Sequence, residues 1–189
     1  ENKQFTLFSI LALVVVGVAV FAPQIAPYDP LDAVMLESLQ APSSAHPFGT
    51  DKLGRDLLSR VIFGTRTSLI MTLCLVAVIF VIGTFLGVIA GYFGGIVDGV
   101  IMRIADMMIS FPGLVLAIAI AGMLGPNLVN AVISIAAVSW TKYARLARSM
   151  VLKVKKSLYI EAAIVNGTKT WKILLVHILP NMVTQMVVT

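Results

Sequence analysis

Between Arg66 and Asp98 the chain runs for 31 residues, Thr67 to Val97, without one charged side chain. An apolar helix of about 20 residues crosses the hydrocarbon core of a bilayer. The stretch therefore predicts a tilted membrane span with a glycine-rich exit, GYFGG. The whole chain is biased the same way: 59% of its 189 residues are hydrophobic and 12% charged, against about 45–50% and about 25% in soluble domains.

A second apolar run, Phe5 to Ala26, follows Lys3. It is longer than a signal-peptide core and further spans follow it, so it reads as a retained helix with Lys3 in the cytoplasm. Pro27 to Arg66 is polar and carries Pro27, Pro30, Pro42 and Pro47, which makes it a loop outside the membrane. Inside it, TDKLGRDLLSRVIFG spaces Leu53, Leu57, Leu58, Val61 and Ile62 opposite Lys52, Arg55, Asp56 and Arg60. That spacing predicts a short amphipathic helix at the interface or against the bundle.

From Met107 to Thr141 there are 35 uncharged residues, too few for two full spans and the Gly125-Pro126-Asn127 turn. The third helix is thus expected to begin near Arg103 and Asp106, and the fourth to end near Lys142 and Arg145. Arg103 and Asp106, three residues apart, are expected to relieve each other's charge. Pro112 is expected to kink the third helix or start a new one.

Eight of the fourteen basic residues lie between Lys142 and Lys172, with Glu161 the one acid among them. Basic loops are retained on the cytoplasmic side, and four spans from a cytoplasmic start return the chain there. Nucleic acid is the weaker reading of this charge, since no folded soluble domain carries it. The organisation expected is a first helix at 1–26, an outer loop at 27–66 and a membrane domain at 67–189 with a cytoplasmic segment at 157–180. Asn181 to Thr189 reads as the beginning of a fifth span, and the sequence as a fragment.

Two stripes of small residues recur every four positions: Gly83, Gly87, Gly91 and Gly95, then Gly113, Ala117, Ala121 and Gly125. Helices associate in lipid through such stripes, and the two are expected to match each other. Cys74 has no partner for a disulfide and reads as a small packing residue. His46 and His177 fall on opposite sides of the membrane, and Met102, Met107 and Met108 read as packing. No bound metal is expected, nor a nucleotide site: NGTKT separates Gly167 from Lys169, whereas a phosphate loop joins GK to Ser or Thr.

The remaining signal is EAAIVNGTKTWKILLVHILP, residues 161 to 180. Glu161 suits the positive end of a helix, Ala162 and Ala163 give it a face without bulk, Gly167 breaks it, and a second helix resumes before Pro180. A compact docking element is expected. This segment resembles the EAA loop of permease subunits of bacterial ABC importers, with Glu161, Ala162, Ala163, Gly167, Leu179 and Pro180 in register. His177 occupies a position that is apolar in the general pattern, and HILPN is similar to the peptide and nickel branch.

HPFGTDKLGRDLLSRVIFGTRTSL, GYFGGIVDGVIMRIADMMISFP and YARLARSMVL, in that order, are similar to blocks of the permeases of dipeptide, oligopeptide and nickel importers. The resemblance implies an all-α multi-pass bundle in the bacterial inner membrane that pairs with a second permease. It implies two cytoplasmic ATPases that bind the ATP and Mg and grip Glu161 to Gly167 and the helix after it, from Trp171. It also implies an extracytoplasmic binding protein that delivers peptide or nickel. The rivals are a membrane anchor and an intramembrane enzyme. The enzyme would need ionisable groups in the spans, where only Arg103 and Asp106 come near.

Overall fold

A computed structural model of the chain describes residues 3–180 and 182. Among them every regular element is helical, and an isolated bridge joins Thr50 and Asp56. Two compact units emerge, Glu1–Leu73 and Cys74–Thr189.

In the first unit α1, Lys3–Val20, is exposed around nearly its whole apolar surface, with Ala19 its buried residue. At 18 residues it measures about 27 Å, enough to approach the thickness of the hydrocarbon core. A short α2, Ala22–Ile25, carries Pro23 in its first turn, where the missing N–H costs nothing. The prolines then hold the chain open as far as a single 3₁₀ turn, Met35–Glu37.

Residues 28–62 are organised by hydrogen bonds. His46 Nδ1 lies 3.0 Å from Asp56 Oδ1, while Asp56 Oδ2 accepts from the Ser59 amide and hydroxyl, each at 2.7 Å. The Ser59 hydroxyl in turn accepts from the Tyr28 amide at 3.1 Å, and the Tyr28 ring packs on His46. Thr50 donates to the Glu37 carbonyl and accepts from the Gln40 amide. Gly54 turns with φ +75 so close to Val34 that a Cβ would lie 1.8 Å from its carbonyl oxygen, which only glycine permits.

Asp56 is also the cap of α3, Leu57–Phe93, since its carboxylate takes the N–H of the third helical residue. The expected short amphipathic helix is therefore not a separate element but the opening turns of a 37-residue helix. No proline interrupts Leu57 to Phe93, and Thr65 and Thr67 bond back to the carbonyls of Val61 and Phe63. Its buried side also differs from the expected one: Asp56, Ser59 and Ile62 are inside, whereas Val61 is exposed. Fully paired polar groups can be buried, as Asp56 and Ser59 are. Cys74 likewise lies on the exposed surface of α3 instead of packing inward.

In the second unit α3 is followed by α4, Gly95–Ser110, α5, Gly113–Leu124, and α6, Leu128–Lys155. Pro112 starts a new helix rather than kinking an old one, and α4 and α5 meet at 93°. α5 and α6 form a hairpin whose turn is capped from both sides. Asn127 accepts from the Val129 amide, and the Asn130 side-chain amide donates to the carbonyls of Leu124 and Gly125.

Among the described residues two helices, α1 and α3, are long and apolar enough to cross a membrane, or three if α4 and α5 count as one broken span. Of the four spans expected, α1 and α3 pass by length and composition singly, the third is the broken pair α4 and α5, and the fourth, α6, does not pass by these measures. At 12 residues α5 reaches about 18 Å, short of the roughly 30 Å core, and α6 carries Asn130, Lys142 and Arg145. Of the expected fifth span, 181 and 183–189 lie outside the described residues.

The glycine stripe packs on α6, not on the small residues of α5. A Cβ on Gly83 would lie 2.6 Å from the Trp140 carbonyl, on Gly87 2.3 Å from that of Ala144, and on Gly91 2.8 Å from Val151 Cβ. Gly95 does not join them. It follows the end of α3, at φ +53, and nothing lies within 4 Å of its Cβ position. Gly113 and the buried Ala117 face α6 from the other side, Gly113 at 3.5 Å from Val138, while Ala121 is half-buried. α6, with Ala144 and Ala147 fully buried, is therefore the common partner of both stripes.

Candidate functional site

The segment after α6 is built on two tethers. Lys155, at the end of α6, donates 2.6 Å to the Tyr92 carbonyl and lies 5.2 Å from the Tyr92 ring centre. It thereby satisfies one of the carbonyls that the last turn of α3 leaves free. The Ser157 hydroxyl donates to the Val154 carbonyl.

From there α7, Leu158–Val165, begins three residues before Glu161, so that Glu161 closes the first turn instead of opening it. The helix stops in a Schellman motif: Thr168 N–H reaches the Ala163 carbonyl and Gly167 N–H the Ile164 carbonyl, both at 3.0 Å. Gly167 sits at φ +72 to make this turn. Its break in the helix is a left-handed cap, and its open surroundings leave nothing within 4 Å of a Cβ position.

A short α8, Thr170–Lys172, runs directly into a π-helical turn, Ile173–Ile178. The π turn has a packing cause. Bonding from i to i+5 stacks residues five apart, so Ile173 and Ile178 both face inward, at 1% and 0% exposure. With Ile160 of α7 they join Val88 of α3 and Ala147 and Val151 of α6 in one apolar cluster that includes Met182. His177 lies with its ring centre 6.4 Å from that of Tyr159, linking the π turn to α7.

The outward surface is different in kind. Glu161, Ala162 and Pro180 are exposed, Ala163 is half-buried against the cluster and Leu179 is half-buried. Leu158 and Val165 are 84% and 86% exposed, and Trp171 is 59% exposed. Trp171, Leu175 and Leu179, at helical spacing, line one side of an apolar groove whose other side is Phe80, Phe85 and Val88 of α3.

Two ion pairs tie α4 to α6 above this element, and sequence spacing pointed elsewhere for one of them. Asp106 pairs with Arg145 rather than with Arg103, and Arg148 grips Asp98 with Nε and Nη2 on separate carboxylate oxygens. Partners 39 and 50 residues away leave no local signal. Arg103 is exposed and makes no ion pair among the described residues.

In the loop that precedes α3, Asp51 holds Arg55 at 2.8 Å and accepts from the amides of Leu53 and Arg55. The Arg55 bond is the main cause that pulls its carboxyl down to about 2. For Asp56 burial pushes upward, but the bonds from Ser59 and His46 outweigh it and the net shift is downward. Among the described residues no three His, Cys, Asp or Glu side chains converge as a metal site would require.

Residues 83–189 match the model of a family described as binding-protein-dependent transport system inner membrane component. Over 95% of its length the chain is 41% identical to a probable D,D-dipeptide transport system permease protein of Escherichia coli, covering 60% of that protein. It is 42% identical, again over 95% of the chain and 60% of the relative, to a glutathione transport system permease protein of Pectobacterium atrosepticum. A dipeptide transport system permease protein of Alkalihalophilus pseudofirmus is 39% identical over 100% of the chain and 62% of its own length. The chain thus spans about 60% of the length of these relatives.

Proposed function

Because the chain belongs to the family of binding-protein-dependent transport inner membrane components, we propose that it is the permease subunit of an ABC importer that brings short peptides across the bacterial inner membrane. The relatives named for dipeptide and glutathione transport favour peptides over nickel. A second permease completes the path, a binding protein delivers substrate outside, and two ATPases supply the energy inside, holding the ATP and Mg that this chain is not expected to bind. The role is transport without catalysis.

The observation that carries the coupling part of this reading is the division of residues 157–180 into two surfaces. Ile160, Ile173 and Ile178 anchor the element against α3 and α6, while Ala162, Val165 and Trp171 are left facing outward. Force applied to such an element reaches the two membrane helices through a close-packed contact, and packed interiors transmit displacement because they do not compress. ATP binding drives the cycle only so far as the ATPases grip this surface more tightly in one state than in the other. In this orientation the N-terminus and residues 157–180 face the cytoplasm, in keeping with the basic residues from Lys142 to Lys172.

The test is co-purification of the full-length subunit from gently solubilised membranes, wild type against Ala162→Glu. Ala162 is exposed, so the added carboxylate tests the surface and not the fold. The expected result is a second permease and ATPases with the wild type, and loss of the ATPases with the second permease retained in the variant. ATPases retained at wild-type level with normal peptide uptake would remove the coupling role from this surface.

A further inference from the structure

His46 is buried, at 6% exposure, and each of its two ring nitrogens faces a carboxylate. Nδ1 lies 3.0 Å from Asp56 Oδ1, at the cap of α3, and Nε2 lies 3.4 Å from Glu37 Oε2, on the 3₁₀ turn. Asp56 Oδ2 already accepts from the Ser59 amide and hydroxyl. A carboxylate bonded in this way only accepts, so Nδ1 is the donor. A neutral imidazole with its proton on Nδ1 has a bare lone pair on Nε2. An ionised Glu37 would then set negative charge against that lone pair and be repelled. The approach of Glu37 therefore needs one more proton, on Nε2 or on the Glu37 carboxyl, and it belongs to the pair rather than to either residue. Among the described residues the other titratable group against the ring is Tyr28, whose ring centre lies 4.8 Å away, while the cations Arg55 and Arg60 are engaged by Asp51.

Glu37 opens a strap, residues 37–40, that lies on residues 50–52. The Thr50 hydroxyl donates to the Glu37 carbonyl and accepts from the Gln40 amide. The Leu39 amide donates to the Asp51 carbonyl at 3.1 Å, and the Ser38 hydroxyl to the Lys52 carbonyl at 3.0 Å. Leu39 is the one non-glycine residue at positive φ among the described residues, at +56, a conformation that costs leucine free energy. No buried side chain offsets that strain, since none of residues 35–40 is buried and Leu36 and Leu39 are 97% and 69% exposed. Hydrogen bonds and the His46 contact hold the strap down against its own backbone.

We propose that the His46–Glu37 pair is a proton-operated latch on this strap. With the extra proton bound, Glu37 is held to the ring and residues 37–40 lie on 50–52; without it Glu37 is repelled and the strap opens. The closed strap is the protonated form, so its protection is present at low pH and is lost as the pH rises. The latch is independent of the transport reading and of which side of the membrane the loop faces.

The test is hydrogen exchange of residues 37–40 in the full-length subunit, held in lipid nanodiscs with the subunits that accompany it. Wild type and Glu37→Gln are compared at the same pH, so that the intrinsic pH dependence of exchange cancels. Measurements at about pH 5 and about pH 8 bracket the range in which histidine ordinarily changes charge. At the lower pH the strap is expected to exchange about five-fold more slowly in the wild type, the upper end for a half-exposed ion pair. At the higher pH the difference is expected to vanish or reverse, because the glutamine amide can donate to the bare Nε2. In a His46→Gln background the same Glu37→Gln replacement is expected to change nothing at either pH.

A ratio of wild type to Glu37→Gln that is the same at both pH values overturns the latch. So does a pH-dependent ratio that persists in the His46→Gln background, which would put the proton elsewhere. Protection lost across the whole of 28–62 in Glu37→Gln at both pH values makes Glu37 a structural residue and overturns it as well.

Discussion

Residues 28–62 and residues 157–180 are held in place by opposite means. The first segment is fixed by paired polar groups, with His46, Asp56 and Ser59 buried and bonded to one another. The second is fixed by three isoleucines and leaves a mixed face outward, with Leu158, Val165 and Trp171 exposed beside Glu161 and Ala162. A buried polar network specifies one geometry, because each donor must meet its own acceptor at a short distance. An apolar anchor holds a segment firmly while leaving its outer face uncommitted. The difference suits a loop that keeps one shape and, on the function proposed above, an element that is gripped and moved.

The contrast can be broken from either side. The largest effect is expected for Ile178→Ala, about 2–5 kcal/mol for a fully buried aliphatic side chain. Hydrogen exchange should rise across 157–180 and stay unchanged in 28–62; an equal rise in both would deny that the two are separately held. Asp56→Ala should have the converse distribution. It removes a helix cap worth about 1 kcal/mol and strands the His46 and Ser59 donors at about 1–3 kcal/mol. Limited proteolysis should open residues 28–62 first, and unaltered cleavage there would show that the network is ornamental.

A smaller effect, about 1 kcal/mol, is expected for Gly167→Ala, since alanine is strained at φ +72. Asn tolerates that region better, so Gly167→Asn should recover part of the loss in thermal unfolding of the purified complex. If alanine and asparagine behave alike, space for a partner matters at this site and backbone conformation does not.

The smallest effect concerns pH. Asp51 titrates at about 2 when folded, below the unfolded value of about 3.9. Its contribution is complete above that unfolded value and is lost as the pH falls through about 2. The difference in loop protection between wild type and Asp51→Asn should therefore shrink from pH 5 to pH 2. A difference constant over that range would mean that the Arg55 pair contributes nothing.

Much of the local shape of residues 157–180 was legible because its signals are local. Gly167 marks a helix end and the alanines a face without bulk, whereas Pro180 does not close the segment: Leu179, Pro180 and Met182 are helical. The π turn was not legible, since nothing in ILLVHI requires it. Only the need to face Ile173 and Ile178 into the same cluster does. The glycine stripe showed close approach but not to what, and Gly95 kept the spacing of the stripe after the helix carrying it had ended.

The sequence by itself determined a helical membrane protein, the family, and some helix ends, such as those at Pro112 and Gly167, because uncharged length, small-residue spacing and caps act within one element. Tertiary structure decided that α6 receives both small stripes, that Asp106 answers Arg145 and that Asp56 faces inward. Those outcomes depend on which surfaces meet across dozens of residues, and contact energy between distant residues has no periodicity along the chain from which to read it.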